Sequence, residues 1–465
     1  MMLTVSEIMA ATQARGDIRA FASAGLSSVT ADSREAAPGA LFCCLPGTRA
    51  DGHGFAAQAV ERGASAVLAA RELPELAGRA PVLVVDDVLK AMGLLARFWR
   101  RRTMAVVAAL SGSAGKTTAK ELLASIAARL APSIKNPGNF NNQLGLPLSM
   151  LAASGEDRLW VLELGISRPG DMEELGAICE PDLAVVHNIG PAHLEGLGDI
   201  AGVARAKAAL FGFVRPGGVA LANADYPELW EAAQAANPSV MPMSTRDPGA
   251  AFHCRFLGCG EGGRGLYHLV LQGEAMDVVL PCTGEHLSEN VLAAAASASL
   301  LGATAEQIAA GLSEAVLPAR RFNVSEMDGF TVIDDTYNAN PLSMRAAIES
   351  ARKLAGKRPL VLVLGEMGEL GREAGSAHEE LGRCIARGGC DVVFFKGSKA
   401  PEVEKGLASG GYEGAFHPVG DPEEFAGRVE TMNIPGGAVL FKGSRSQRME
   451  EFLERFMAKI KEDKR

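Results

Sequence analysis

The densest chemistry in the chain lies in Gly112-Ser113-Ala114-Gly115-Lys116-Thr117-Thr118. Glycines let main-chain N–H groups converge on phosphate oxygens, and a helix opening behind them adds the positive end of its dipole. In such a loop Lys116 reaches the β- and γ-phosphates and the Thr117 hydroxyl sits on Mg2+. The standard pattern has a further glycine where Leu110 stands, so this is a shortened variant. Mg-ATP chemistry asks for more ligands than one threonine. Glu163 closes the apolar run Leu159-Trp160-Val161-Leu162, and a carboxylate at a strand's C-terminal end faces the ligand crevice of an α/β sheet. His193 follows another apolar run within His187-Asn188-Ile189-Gly190-Pro191-Ala192-His193, and it is a better ligand candidate than His187. Lys207, in Ala204-Arg205-Ala206-Lys207-Ala208-Ala209-Leu210-Phe211, reads by itself as an exposed lysine on an amphipathic helix. Beside a metal site its pKa would fall, and the amine could take up CO2 and become a carbamate ligand.

These groups need a sheet to position them. Apolar runs at 104–110, 159–164, 183–189 and 219–222 alternate with helix-like stretches such as 117–130, the pattern of a buried parallel sheet. Between 252 and 281 the pattern changes, and 266–271 with 276–280 reads as an antiparallel ribbon. A second α/β pattern begins after Arg320, with strand candidates at 331–334, 360–364, 392–395 and 438–441. Before Arg97 the chain is mixed, with a strand candidate at 82–85 and helices expected at 55–63 and 89–99. Two seams stand out: the arginine-rich stretch Arg97 to Thr103, and Val316 to Arg321, where Pro318 ends a helix. The expectation is an α/β protein of three domains: a small one over 1–100, a central phosphate-loop domain with a parallel sheet over 101–316, and a Rossmann-like one over 317–465.

Composition narrows the class. The 465 residues carry a net charge of −9 and are 48% hydrophobic, which excludes a disordered or fibrous chain. No basic footprint marks a nucleic-acid binder, although a local site can still favour an anionic substrate. The 8 cysteines do not form a disulfide scaffold, and Cys254 and Cys259 lack a second pair at finger spacing. No signal-like start and no long apolar span is present, so a cytoplasmic location is expected.

Taken together, the shortened loop, Glu163, His193 and Lys207, in that order, resemble the ATP-dependent Mur ligases of peptidoglycan synthesis. Asp334-Asp335-Thr336-Tyr337-Asn338-Ala339-Asn340-Pro341, Leu364-Gly365-Glu366-Met367-Gly368-Glu369-Leu370-Gly371 and Lys442-Gly443-Ser444-Arg445 are similar to segments of the branch that adds D-alanyl-D-alanine. So are Asn139-Phe140-Asn141-Asn142-Gln143-Leu144-Gly145, Asp32-Ser33-Arg34, Gly39-Ala40-Leu41-Phe42 and Asp51-Gly52-His53. Ala209, Leu287, Ala319 and Glu366 depart from residues common in the family.

The resemblance implies ATP, two Mg2+ sites (Thr117 with Glu163, His193 with carbamylated Lys207), and nucleotide contacts from Asn290, Arg320, Asp335, Tyr337 and Asn338. It implies UDP-N-acetylmuramoyl-tripeptide and D-alanyl-D-alanine as substrates, the first held through Ser33 and Arg34 by a UDP-sugar domain at the front, and a monomer without nucleic-acid or membrane partners. Lys442, Ser444 and Arg445 either meet the dipeptide carboxylate or shape their own domain. Two rivals are a sister ligase, such as the third-residue-adding Mur ligase or folylpolyglutamate synthase, and a regulatory nucleotide switch; the other ligases tend to show a histidine after the tyrosine, where Asn338 stands here. For the switch, the guanine-reading Asn-Lys-x-Asp is missing.

Overall fold

The computed structural model describes residues 2–47, 50–260, 264–282, 284–432 and 436–462. Three parallel or mostly parallel sheets follow one another along the chain. The first has four strands, Ser28–Thr30, Ala40–Cys43, Ala66–Ala69 and Val82–Val84, all parallel. The second has six parallel strands in the order Met241–Met243, Val219–Asn223, Leu183–Val186, Val106–Ser111, Leu159–Glu163, Ser133–Lys135. The third places Gly437–Lys442 between Phe330–Asp335 and Leu360–Gly365, continues to Val392–Lys396 and Ala415–Pro418, and carries one antiparallel edge, Asn323–Met327. The antiparallel ribbon has three strands rather than two, Phe252–Cys259, Gly265–Leu271 and Glu274–Leu280.

The interior strands of the two large sheets are mostly apolar because both faces are covered. Leu159–Glu163 is buried at every position, and so are Leu183–Val186 and Leu360–Gly365. In both large sheets the chain reverses direction of travel about a central strand, leaving a crevice beyond the strands' C-terminal ends. In the central sheet that strand is Val106–Ser111. Register sets Leu110 beside Glu163 and Ser111 beside Val186, so three chain exits lie level. In the third sheet Lys442 lies between Asp335 and Leu364.

The arginine-rich seam is no loose linker. Val88–Arg102 is one helix, capped by Asp87, and its arginines grip the central sheet. Arg100, 1% exposed, donates to Asp182 Oδ2 at 2.6 Å and to the carbonyls of Cys179, Glu180 and Ala105. Arg97 and Arg101 both reach the Glu180 carboxylate, at 2.8 and 2.5 Å. All eight cysteines are unbridged. No helix among the described residues is long and apolar enough to cross a membrane.

Candidate active site

The Gly112–Thr118 loop sits at the level exit of Val106–Ser111 and opens the helix Lys116–Ala127. Leu110, where a longer loop would have glycine, is a fully buried strand residue. Two glycines are dictated by close approach. A Cβ on Gly112 would lie 2.6 Å from the His187 ring, and one on Gly115, whose φ is +72°, would lie 2.1 Å from Asn290 Nδ2. Lys116 Nζ folds back to the Gly112 carbonyl at 3.0 Å, and burial lowers its pKa. Thr117 and Thr118 are buried in the first turn.

A second layer holds the loop. Asn188 Oδ1 accepts from Ser113 N (2.9 Å) and Ala114 N (3.0 Å), and its Nδ2 donates to Glu289 Oε2. Glu289 also accepts from the Tyr226 hydroxyl at 2.7 Å, and burial raises its pKa. His187 is buried behind the loop with Nε2 2.8 Å from the Ala114 carbonyl, and desolvation pushes its pKa down to about 4. Asn290 lies on the buried helix Ser288–Leu300 and donates to the Gly115 carbonyl at 2.9 Å.

Glu163 is 2% exposed on an interior strand, not on an edge. Asn136 clasps its main chain on both sides, and Asn141 Nδ2 donates to its Oε1 at 2.6 Å. Its Oε2 has no partner. Lys207 is 1% exposed, which overturns the reading of an exposed helix lysine. Its Nζ has no hydrogen-bond partner, and burial together with the charge on Lys116 puts its pKa well below the ordinary value, opposed by the Glu163 carboxylate. A buried polar group left unpaired costs about 1–3 kcal/mol, so the pair Glu163 and Lys207 marks a place built for something else. Among the described residues no group of three His, Cys, Asp or Glu could hold a metal alone. A cation here would share oxygen ligands with phosphate, as Mg2+ does.

The third sheet reaches across to this loop. Asn340 caps the helix Pro341–Ala355 with its side-chain oxygen and donates its Nδ2 to the Ser113 carbonyl at 3.0 Å. Of the two arginines at the seam, Arg321 faces the site. It donates to Thr117 Oγ1 at 2.9 Å and lies 4.0 Å over the Tyr337 ring. Arg320, at φ +65°, turns away to Glu450 at 3.2 Å and does not line the cavity. Lys442, 2% exposed, is spent on Asp335 (2.6 Å) and the Asn338 carbonyl (3.0 Å), and Ser444 donates to the Glu366 carbonyl. Those contacts lie within the third-sheet domain, although Lys442 also lines the cavity, while Arg445 is exposed and pairs with Glu450.

His193, at φ +56°, lies 2.5 Å from Glu369 Oε2, and this contact holds the Glu369 carboxyl below the usual range. A cavity of about 740 Å³ joins these parts, lined by Ser113 to Thr118, Glu163, His193, Asn290, Arg321, Asp335, Tyr337 and Asn338. Ser33 and Arg34 lie outside it. Ser33 donates to Gln58 at 2.8 Å and Arg34 is tied to Asp32. Sequence reasoning passed over Asn188, Asn141, Arg321, Asn340 and Glu369. Each stands inside a quoted motif or next to a chosen residue, and that proximity was the available signal.

The fold and site define a phosphate-loop nucleotide-binding protein in which two α/β units share one cavity. Three family models cover most of the chain: "Mur ligase family, catalytic domain" at 26–100, "Mur ligase middle domain" at 110–298, and "Mur ligase, glutamate ligase domain" at 320–445. The chain belongs to the Mur ligase family. It is 34% identical over 432 residues to the UDP-N-acetylmuramoyl-tripeptide–D-alanyl-D-alanine ligase of Escherichia coli, covering 92% of each chain. The crystal structure of MurF from Acinetobacter baumannii superposes with a TM-score of 0.89 at 32% identity, covering 98% of this chain and 99% of that one. MurF from Thermotoga maritima in complex with ADP gives 0.83 at 29% identity, covering 94% and 98%.

Proposed function

We propose that this chain is an ATP-dependent ligase that joins D-alanyl-D-alanine to UDP-N-acetylmuramoyl-tripeptide, working as a cytoplasmic monomer. The observation that carries the reading is the meeting of the phosphate loop with the Asp335–Asn340 segment through Asn340 and Ser113. It occurs in a chain similar along nearly its whole length to ligases of that name.

In this reading the main-chain N–H groups of 113–118 and Lys116 take the β- and γ-phosphates, and Asn290 backs the loop. Arg321 moves from Thr117 onto phosphate, where a guanidinium makes paired bonds, so it takes the role expected of Arg320. Tyr337, Asp335 and Asn338 face the nucleoside end. The donor set fits Mg2+: Thr117 already faces a cation, and Glu163 Oε2 is open. Thr117 and Glu163 would hold one ion, and His193 with Lys207 the other. Lys207 fits only as a carbamate, formed when its neutral amine bonds to CO2 carbon and releases a proton. Bound Mg2+ would neutralise phosphate charge.

The tripeptide carboxylate then attacks the γ-phosphorus, the bond to ADP breaks, and an acyl phosphate forms. The dipeptide amine attacks the acyl carbon, the carbon–oxygen bond to phosphate breaks, and the nitrogen's extra protons pass to solvent. Charge neutralisation by Lys116 and Arg321 favours the first step. Cover from the third sheet keeps water from the acyl phosphate. Ser33 and Arg34 remain our candidates for UDP, after release from Gln58 and Asp32. The test is phosphate release from Mg-ATP with the UDP-tripeptide, with and without D-alanyl-D-alanine. Release requiring both, with a product heavier by the dipeptide, is expected. Release independent of both would replace the ligase by a nucleotide switch, and activity only with a shorter UDP-peptide and a single amino acid would indicate a sister ligase.

A further inference from the structure

Among the described residues of the central unit two lysines are wholly buried, and they are opposites. Lys207 has no partner and enters the mechanism above. Lys120, 0% exposed, does not enter it and is fully occupied. Its Nζ donates to the Asn136 carbonyl at 2.7 Å and the Gly138 carbonyl at 3.1 Å, and it pairs with Glu121 Oε1 at 3.1 Å. Three acceptors use the three protons of an ammonium, so nothing is left for a ligand. Glu121 is held in turn by Lys135, at the end of Ser133–Lys135. An ammonium taken wholly out of water is costly unless its partners are complete, as they are here.

What Lys120 fastens is the surround of Glu163. The helix Lys116–Ala127 packs on Leu159–Glu163, and sheet order puts Ser133–Lys135 beyond that strand. Lys120 stands three residues after Thr117, on the same helix face, and crosses to the loop that follows Ser133–Lys135. That loop returns three contacts to Glu163. Asn136, itself 0% exposed, accepts from Glu163 N and donates to Glu163 O, each at 2.9 Å, and Asn141 Nδ2 donates to Oε1 at 2.6 Å. The first two fix the main chain and the third fixes the turn of the carboxylate, so the open Oε2 has one direction to face. Mg2+ holds its oxygens at about 2.1 Å in a strict octahedron and tolerates little misplacement. Resting on the nucleotide and cation part of the ligase reading, we propose that Lys120 is a positioning residue for Mg2+. From one turn behind Thr117 it sets, through the 136–141 loop, where Glu163 Oε2 stands relative to the Thr117 hydroxyl, and it touches neither cation nor phosphate itself.

The test is calorimetric binding of an ATP analogue with a β,γ-methylene bridge, once with Mg2+ and once with EDTA in its place. The gain in affinity on adding Mg2+ reports the ion's ligands, and the affinity in EDTA reports the phosphate loop. Wild type, Lys120→Met and Asn141→Ala would be compared, with melting temperatures to show that each folds. In Lys120→Met the gain should fall about tenfold, the usual size for a group that orients a metal ligand, while affinity in EDTA changes less than about threefold. Asn141→Ala, which leaves the buried lysine in place, should show the same selective loss, and joining the two substitutions should add little to it. If Lys120→Met does not fold, Lys120→Gln, whose amide can still donate to one carbonyl, takes its place with a smaller selective loss expected. An undiminished gain in the folded Lys120 variant, equal losses with and without Mg2+, or full additivity with Asn141→Ala would reduce Lys120 to a structural staple. A wild type that binds the analogue no better with Mg2+ would remove the cation assignment and this inference with it, while the ligation assay above still decides the ligase reading.

Discussion

The central and third sheets present the same kind of crevice, at the C-terminal ends of parallel strands, and furnish it in opposite ways. Around the phosphate loop, Glu163 Oε2 and Lys207 Nζ are buried without partners, and Lys116 has only a carbonyl of its own loop. In the third sheet the corresponding charges have partners, Lys442 on Asp335 and Glu366 on the N–H and hydroxyl of Ser398. One crevice holds its polar groups in reserve for ligands. The other spends them on shape and exports a few long side chains. Loss of a charge should therefore harm turnover in the first and folding in the second.

The largest effect expected is for Lys116→Ala, with kcat lower by about 10³-fold and a melting temperature unchanged within error. Normal turnover would break the comparison at its strongest point. Lys442→Met should instead show chiefly in folding and cost about 3–5 kcal/mol in denaturant unfolding, because the largely buried Asp335 carboxylate loses its partner. A loss below about 1 kcal/mol would mean that the third-sheet pair is only surface decoration.

The reserve of neutral groups behind the loop should also show in pH dependence. His187 has its native pKa near 4 against an ordinary 6.5. Below pH 6.5 the unfolded chain takes up a proton that the native ring refuses, so stability falls with pH until about 4. Relative to His187→Asn, the wild type should lose roughly 3 kcal/mol between pH 7 and pH 4, read by urea unfolding at each pH. A constant difference between the two would place a charged His187 in the native state. The smallest effect sharpens the seam: Arg321→Ala should raise the KM for ATP about tenfold, whereas Arg320→Ala should move it less than about twofold. Equal effects would mean that both arginines serve the nucleotide.

The core of both large sheets could be read from the chain because interior parallel strands leave uninterrupted apolar runs. In the first sheet only Val82–Val84 could. Ser28–Thr30, Ala40–Cys43 and Ala66–Ala69 are only three or four residues long and combine small Ser, Ala and Cys with one or two larger residues, so no sustained run marks them. Glycine spacing and the helix behind it made the phosphate loop legible, but not its backing by Asn188, which depends on where a different strand ends. Burial of Lys207 was hidden because Ile200–Ala208 is rich in alanine and offers little contrast between faces. The choice between Arg320 and Arg321 turned on one positive φ, which no residue type announced.

The grip of Arg97, Arg100 and Arg101 on Glu180 and Asp182 bears on how far this chain can be taken apart. The family match to the central unit begins at residue 110, yet the cations that neutralise its floor sit on the preceding helix. Asp182 also accepts from Val107 N on the first strand of that unit. A fragment starting at 110 would orphan Glu180, leave Asp182 with only Arg215 at 3.6 Å, and lack a strand edge. Sequence modules and folding units are therefore offset here by one helix, and exchange of parts among relatives has to cut before Val88 rather than at the apparent border.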